Sequence, residues 1–212
     1  MTELTSIFGT IPEDSIFNPV PPYNLRNDCQ VGQWKRGESD YKGSSLEIAV
    51  IKARKFYGVL GESRAHWLQL WFIASPNEDK LPKNTVCCTY LKTRSLDNLS
   101  GKLIELMTSN TDPGRGIFTA KFEKTQGKMG TYYYLDWDYR ERDGEDEEFQ
   151  LEMIAEFMQQ QPTFIDTNKP NTLVCTDGMT PEQIDDLDEV INAIQNGEQP
   201  TSQQKQLNGA VA

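Results

Sequence analysis

Histidine is almost missing from this chain. His66 stands alone, and the four cysteines, Cys29, Cys87, Cys88 and Cys175, include no C-x-x-C pair. A zinc site needs several Cys, His or acidic donors at short spacing, so no metal site is predicted. Nor do four scattered thiols make a disulfide framework, and a reducing, cytoplasmic setting is the expectation. Cys87 and Cys88 are neighbours and should point to opposite faces of a strand. No run of about 18 apolar residues occurs, which predicts no membrane-spanning helix. The first ten residues lack a basic stretch followed by an apolar one, so no secretory leader is expected.

Motifs of catalysis are equally scarce. Nothing around Cys87 or Cys88 forms a nucleophile elbow, and His66 is placed as a cap at the start of a strand. Asp112-Pro113-Gly114-Arg115-Gly116 is glycine-rich. It lacks the GK[ST] ending of a phosphate loop and precedes a strand pattern, so it reads as a turn. No catalytic residue and no cofactor is predicted. The expectation is a protein that is not an enzyme.

What is present is charge, unevenly spread. Net charge is −11 over 212 residues. Residues 31 to 130 hold 16 basic and 10 acidic side chains, net +6, which leaves −17 on the rest, mostly C-terminal. Such asymmetry points to a polyanion partner or to an interaction segment.

Residues 1–30, with Pro12, Pro19, Pro21 and Pro22, read as an extended arm tacked down near Phe8 and Phe17. A β domain is expected over 31–140, an acidic helical extension over 141–196, and a polar, disordered tail over 197–212. Leu46, Ile48 and Val50 alternate with polar or small residues and open a strand reaching about Leu60, with a bulge or bend expected near Lys52 to Lys55. His66–Ile73 is apolar on both faces and should be covered on both. Thr85–Thr93 is a third strand. Ser95 looks like an N-cap for a helix with Leu96, Leu99, Leu103 and Leu106 in one stripe. Gly116–Lys124 and Thr131–Tyr139 form a hairpin between Gly127 and Gly130. Phe149, Met153 and Phe157 mark a helix over 147–161. Thr172–Cys175 suits a short strand. Thr180-Pro181-Glu182-Gln183 opens a last helix, with Ile184, Leu187, Ile191 and Ile194 as its stripe and Gly197 as its end. The class is mainly β with C-terminal helices.

The core order, β-β-β-α-β-β over residues 44 to 140, resembles the OB-fold barrel. Together with a basic core and an acidic C-terminal region, it resembles phage- and plasmid-type single-stranded DNA-binding proteins. Cys88-Thr89-Tyr90-Leu91-Lys92 and Gly130-Thr131-Tyr132-Tyr133-Tyr134 are also similar to stretches of a domain family of cyanobacterial mobile elements. The OB resemblance implies oligonucleotide binding across the second and third strands, near Trp67, Trp71, Lys92 and Arg94.

The residues themselves point the same way. Lys52, Arg54 and Lys55 precede Tyr57. Arg64 precedes Trp67 and Trp71. Tyr90 precedes Lys92 and Arg94. Arg115 and Lys121 add cations, and Tyr132 and Tyr134 share the less apolar face of their strand. Cations neutralise phosphates and flat rings stack on bases, which is what a single strand of DNA or RNA requires. Two other readings stand beside this one. Asp136 and Asp138, two apart on one strand face and joined by Glu141, could hold Mg²⁺ for phosphoryl transfer. Alternatively, all the aromatics are core, and the chain is a scaffold. The acidic region either recruits a protein partner or occupies the basic groove until nucleic acid displaces it, and the amphipathic C-terminal helices either pack on the barrel or form a partner or homo-oligomer interface.

Overall fold

The computed structural model describes residues 14–127, 130–163 and 172–195. Expectations for residues 1–13, for Gly197 and for the tail fall outside them. The elements are β1 Tyr23–Asn24, β2 Arg26–Asp28, β3 Gln33–Arg36, β4 Asp40–Tyr41, β5 Ser45–Leu60, β6 Ser63–Ala74, β7 Cys87–Lys92, α1 Thr93–Thr108, β8 Ile117–Gly127, β9 Gly130–Arg140, α2 Glu145–Gln160, β10 Leu173–Cys175, α3 Pro181–Asp185 and α4 Leu187–Gln195. The chain is mainly β, with the predicted β-β-β-α-β-β order in β5 to β9.

The large sheet runs β1-β7-β6-β5-β8-β9, with β10 on the free half of β5; β2, β3 and β4 form a small second sheet. The long strand β5 serves two neighbours because it bends. Its register against β6 slips between Val50 and Lys52, leaving Ile51 unpaired. That is the predicted irregularity, falling just before Lys52. Before the bulge β5 pairs β8 through Ser45–Ile48. Beyond it, Phe56–Gly58 pairs β10.

The sheet does not close into a barrel among the described residues. Closure would need β7 to pair β9, and the N-terminal segment stands between them. Leu25 donates its N–H to Cys88 O at 2.8 Å on one side, and Tyr133 donates to Cys29 O at 2.8 Å on the other. The described part of the proline-rich stretch is docked from Phe17, whose N–H donates to Asn84 O and whose carbonyl accepts the Val86 N–H, each at 2.8 Å, as far as Leu25, which is buried. The remaining edge of β9 is covered by α1. Ser95 Oγ accepts the Leu135 N–H at 3.0 Å, and Asn98 donates to Leu135 O at 3.2 Å. Ser95 is therefore not the N-cap; Lys92 holds that place, and Ser95 is buried one turn inside. A sheet edge so occupied has few groups left to pair with another chain.

Both sheet faces are covered. One packs Leu46, Leu70, Phe72, Cys87, Leu91, Phe118 and Trp137 against Leu99 and Leu106 of α1 and against Trp34 of β3. The other packs Phe56, Trp67, Trp71, Ile73 and Cys88 against Ile154 and Phe157 of α2 and Leu173 of β10. Cys87 and Cys88 thus lie in opposite cores, and burial pushes each thiol up to about 12. In α2 the buried stripe is Gln150, Met153, Ile154 and Phe157, while Phe149 is exposed. The last predicted helix is two short ones, α3 and α4, and α3 begins with the expected capping box between Thr180 and Gln183.

A charged clamp ties α2 to the sheet. Arg140 donates to both carboxylate oxygens of Glu147, at 2.8 and 2.7 Å, and to Glu47 at 3.0 Å. The Glu147 carboxyl, 2% exposed at its side chain, is held below its ordinary 4.5 by Arg140. Arg140→Ala leaves that buried carboxylate short of its main donor, so a loss of about 2–3 kcal/mol is expected, measured as a urea midpoint. Because its folded value lies below 4.5, Glu147 contributes stability above that pH and loses it as the pH falls through the folded value. In Glu147→Gln this part of the acid limb should flatten.

Candidate nucleic-acid interface

The docked N-terminal segment creates a groove rather than a barrel seam. Its walls are the Asn24–Gln30 segment and Lys35, the β5–β6 turn at Leu60–Ser63, the end of β7 with the start of α1, and Tyr132–Tyr134 of β9. The space between them is about 970 Å³. Each wall follows from local sequence. Gly61 takes the positive φ that the tight β5–β6 turn needs, at +62°. On β9, Leu135 and Trp137 enter the core, so strand alternation carries Tyr132 and Tyr134 to the other side. Gly32 has no side chain because a Cβ there would meet the Tyr133 ring.

Six of the fourteen candidate residues meet in this groove: Trp67, Tyr90, Lys92, Arg94, Tyr132 and Tyr134. The rings and cations are already paired. The Arg94 guanidinium lies 3.8 Å from the Tyr134 ring centroid, and Lys92 Nζ lies 5.1 Å from the Trp67 ring. Lys92 also donates to Ser63 at 2.7 Å, and Arg94 to Thr125 at 3.2 Å. These contacts fix both cations without neutralising them. Tyr132 is 38% exposed. Trp67 offers less; it is 6% exposed and its indole N–H is spent on Gly58 O at 3.1 Å. Tyr90 is half-buried, and burial raises its phenol.

The groove adds two cations not among the candidates, Arg26 and Lys35, against two carboxylates, Asp28 and Glu62. Asp28 is already matched, by Arg26 at 3.6 Å and by the Gln30 N–H at 3.1 Å. The Trp34-Lys35-Arg36 run sets two cations beside a ring, a composition like that of Tyr90 to Arg94, and could have revealed this wall. Lys35 and Arg36 lie over Tyr41 and Tyr23, at 5.2 and 4.2 Å.

The other eight candidates lie elsewhere. Trp71 is 0% exposed and belongs to the core, because β6 is covered on both faces. Arg54, Tyr57 and Arg64 face the C-terminal segment. Arg54 pairs Asp177 at 3.3 Å, Tyr57 donates to Asp188 at 2.7 Å, and Arg64 meets Asp188 at 3.1 Å and Asn192 at 2.6 Å. Lys52 and Lys55 lie on the same stretch of β5, and Asp177 accepts the Lys55 N–H at 3.0 Å. Arg115 sits in a 3-10 turn, Pro113–Arg115, and Lys121 is paired with Glu123 at 2.7 Å on β8. None of these lines the groove.

The remaining sequence readings find little geometry. Asp136 stands opposite Lys121 in the sheet and accepts from Asn98 at 3.3 Å. Among the described residues no three His, Cys, Asp or Glu side chains gather as metal ligands. His66 lies inside β6 rather than at its start, with its ring 4.9 Å from that of Tyr57. No described helix is long and apolar enough to cross a membrane. Comparison with protein-family models, with curated proteins and with solved structures gives no match.

Proposed function

We propose that this groove binds single-stranded nucleic acid without catalysing its change. One observation carries the reading. Four cations, Arg26, Lys35, Lys92 and Arg94, and the rings of Tyr90, Tyr132 and Tyr134 come from three separate stretches of chain to line one groove. A phosphate backbone needs the first set, and unpaired bases need the second. Tyr134 has the strongest role, since Arg94 on its ring leaves a guanidinium plane and an aromatic plane ready to take a base. Nothing in this arrangement selects one base, so binding tolerant of sequence is expected.

Stacking on one ring is worth about 1–3 kcal/mol by alanine substitution, so Tyr134→Ala should weaken oligo-dT binding by roughly 5- to 150-fold. Lys121→Ala, outside the groove, should change it less than about twofold. Fluorescence anisotropy of a labelled strand measures both. Equal affinity in wild type and Tyr134→Ala would remove the groove as the site. No binding by either protein would favour a scaffold.

A further inference from the structure

The segment 172–195 carries six carboxylates and no lysine or arginine. It lies along the distal half of the β5–β6 ribbon, where Lys52, Arg54, Lys55 and Arg64 are concentrated. Its attachment has three parts. β10 pairs Phe56–Gly58. Asp177 and Asp188 take Arg54, Arg64 and the Tyr57 hydroxyl. A small apolar cluster, Val174, Leu187 and Ile191, rests on Tyr57, Val59 and Met179. The ion pairs are partly open to water, with Asp177 and Asp188 side chains 41% and 53% exposed. Pairs of that kind are weak and screened by salt. Leu173 and Cys175 of β10 belong to the second core and stay in place, but beyond Thr176 only Leu187 and Ile191 are buried among the described residues, which places α3 and α4 at the low end of local stability.

From this we infer that residues 177–195 are a displaceable acidic strap, and that the strip it covers, Arg54, Tyr57 and Arg64, is a second surface for the same single strand. The inference rests on the groove reading. Carboxylates stand on the strip where phosphates would stand, and Asp188 occupies the place of an acceptor for both a guanidinium and a phenol. A strand that leaves the groove past the Leu60–Ser63 turn reaches this ribbon next. It exchanges places with the strap, lengthening the bound segment and releasing the acidic element toward solvent.

The full-length chain tests this with Asp177→Asn combined with Asp188→Asn. Both side chains are partly exposed, and an asparagine oxygen still accepts from the Lys55 N–H and the Tyr57 hydroxyl, so the variant keeps its fold, checked by circular dichroism. Glu152→Gln with Glu156→Gln on α2 makes the same change in net charge away from the strip. The strap variant should bind a 30-mer of dT, about twice the longest site of one such domain, roughly tenfold tighter than wild type. Its salt slope should be steeper by about 1.4, for two further phosphates. The α2 control should stay within about twofold of wild type. In wild type, saturating oligonucleotide should speed amide exchange in α4, Leu187–Gln195. Affinity equal in strap variant and wild type, or exchange unchanged by oligonucleotide, overturns the strap. If Tyr134→Ala still weakens wild-type binding in that case, the groove reading survives alone. If no protein binds, both fall.

Discussion

Trp34→Ala is expected to lose about 3–5 kcal/mol of stability, the usual cost of emptying a large aromatic site in a packed core. Trp34 is 0% exposed although it belongs to a four-strand-residue element of the small sheet. Its ring meets Phe122 edge-on at 5.7 Å, and its indole N–H donates to Ala120 O at 3.3 Å, so truncation leaves a cavity and removes a buried hydrogen bond together. The small sheet β2-β3-β4 is thereby pinned to β8, and with it the wall that carries Arg26 and Lys35. Urea denaturation gives the measurement. Trp34→Phe, which keeps most of the volume, should cost less than half as much. A loss below about 1 kcal/mol in Trp34→Ala would mean that this sheet is an appendage rather than core.

Reversing charge on the opposite wall should act on binding alone. Lys92→Glu combined with Arg94→Glu is expected to weaken oligo-dT binding at least about hundredfold, roughly 2.7 kcal/mol. Two phosphate contacts are lost and two repulsions appear. The Lys92 head group reaches the rim through Ser63, and Arg94 is exposed over Tyr134, so neither holds up the fold. The thermal midpoint should move by only a few degrees, the scale of about 1 kcal/mol. Unchanged affinity in a folded double variant would show that these cations meet no phosphate.

The strands were legible because alternation survives in them. Leu46, Ile48 and Val50 announce β5, and the blurred phase at Lys52 to Lys55 announces a bulge that falls just before it, at Ile51. Cys87 and Cys88 divide between two cores as neighbours on a strand must. Two kinds of residue escaped. Trp71 sits in a strand whose residues 67–74 are all buried, as the apolar pattern on both faces already implies, and only composition and the barrel resemblance set its ring at the interface. Arg54, Tyr57 and Arg64 carry the composition of a nucleic-acid surface, yet a partner more than a hundred residues away in sequence, Asp177 or Asp188, meets each of them. Conversely, Arg26 and Lys35 lie on strands of three and four residues after a proline-rich stretch, too short for periodicity to register. Ser95 looked like a helix cap because serine before an apolar stripe usually is one. Here its hydroxyl serves the β9 edge instead.

The central claim, that the groove is a polyanion site for an unpaired strand, is tested most directly by titrating the wild-type chain against labelled oligo-dT of about 30 nucleotides at about 50 and 200 mM salt. With four cations in the groove, the account predicts binding whose log–log salt slope is about −3, at about −0.7 per phosphate on a single strand. A duplex of equal length should bind more weakly, because its bases cannot reach the rings. Absence of binding at the lower salt, in a protein that is folded by circular dichroism, would contradict the account.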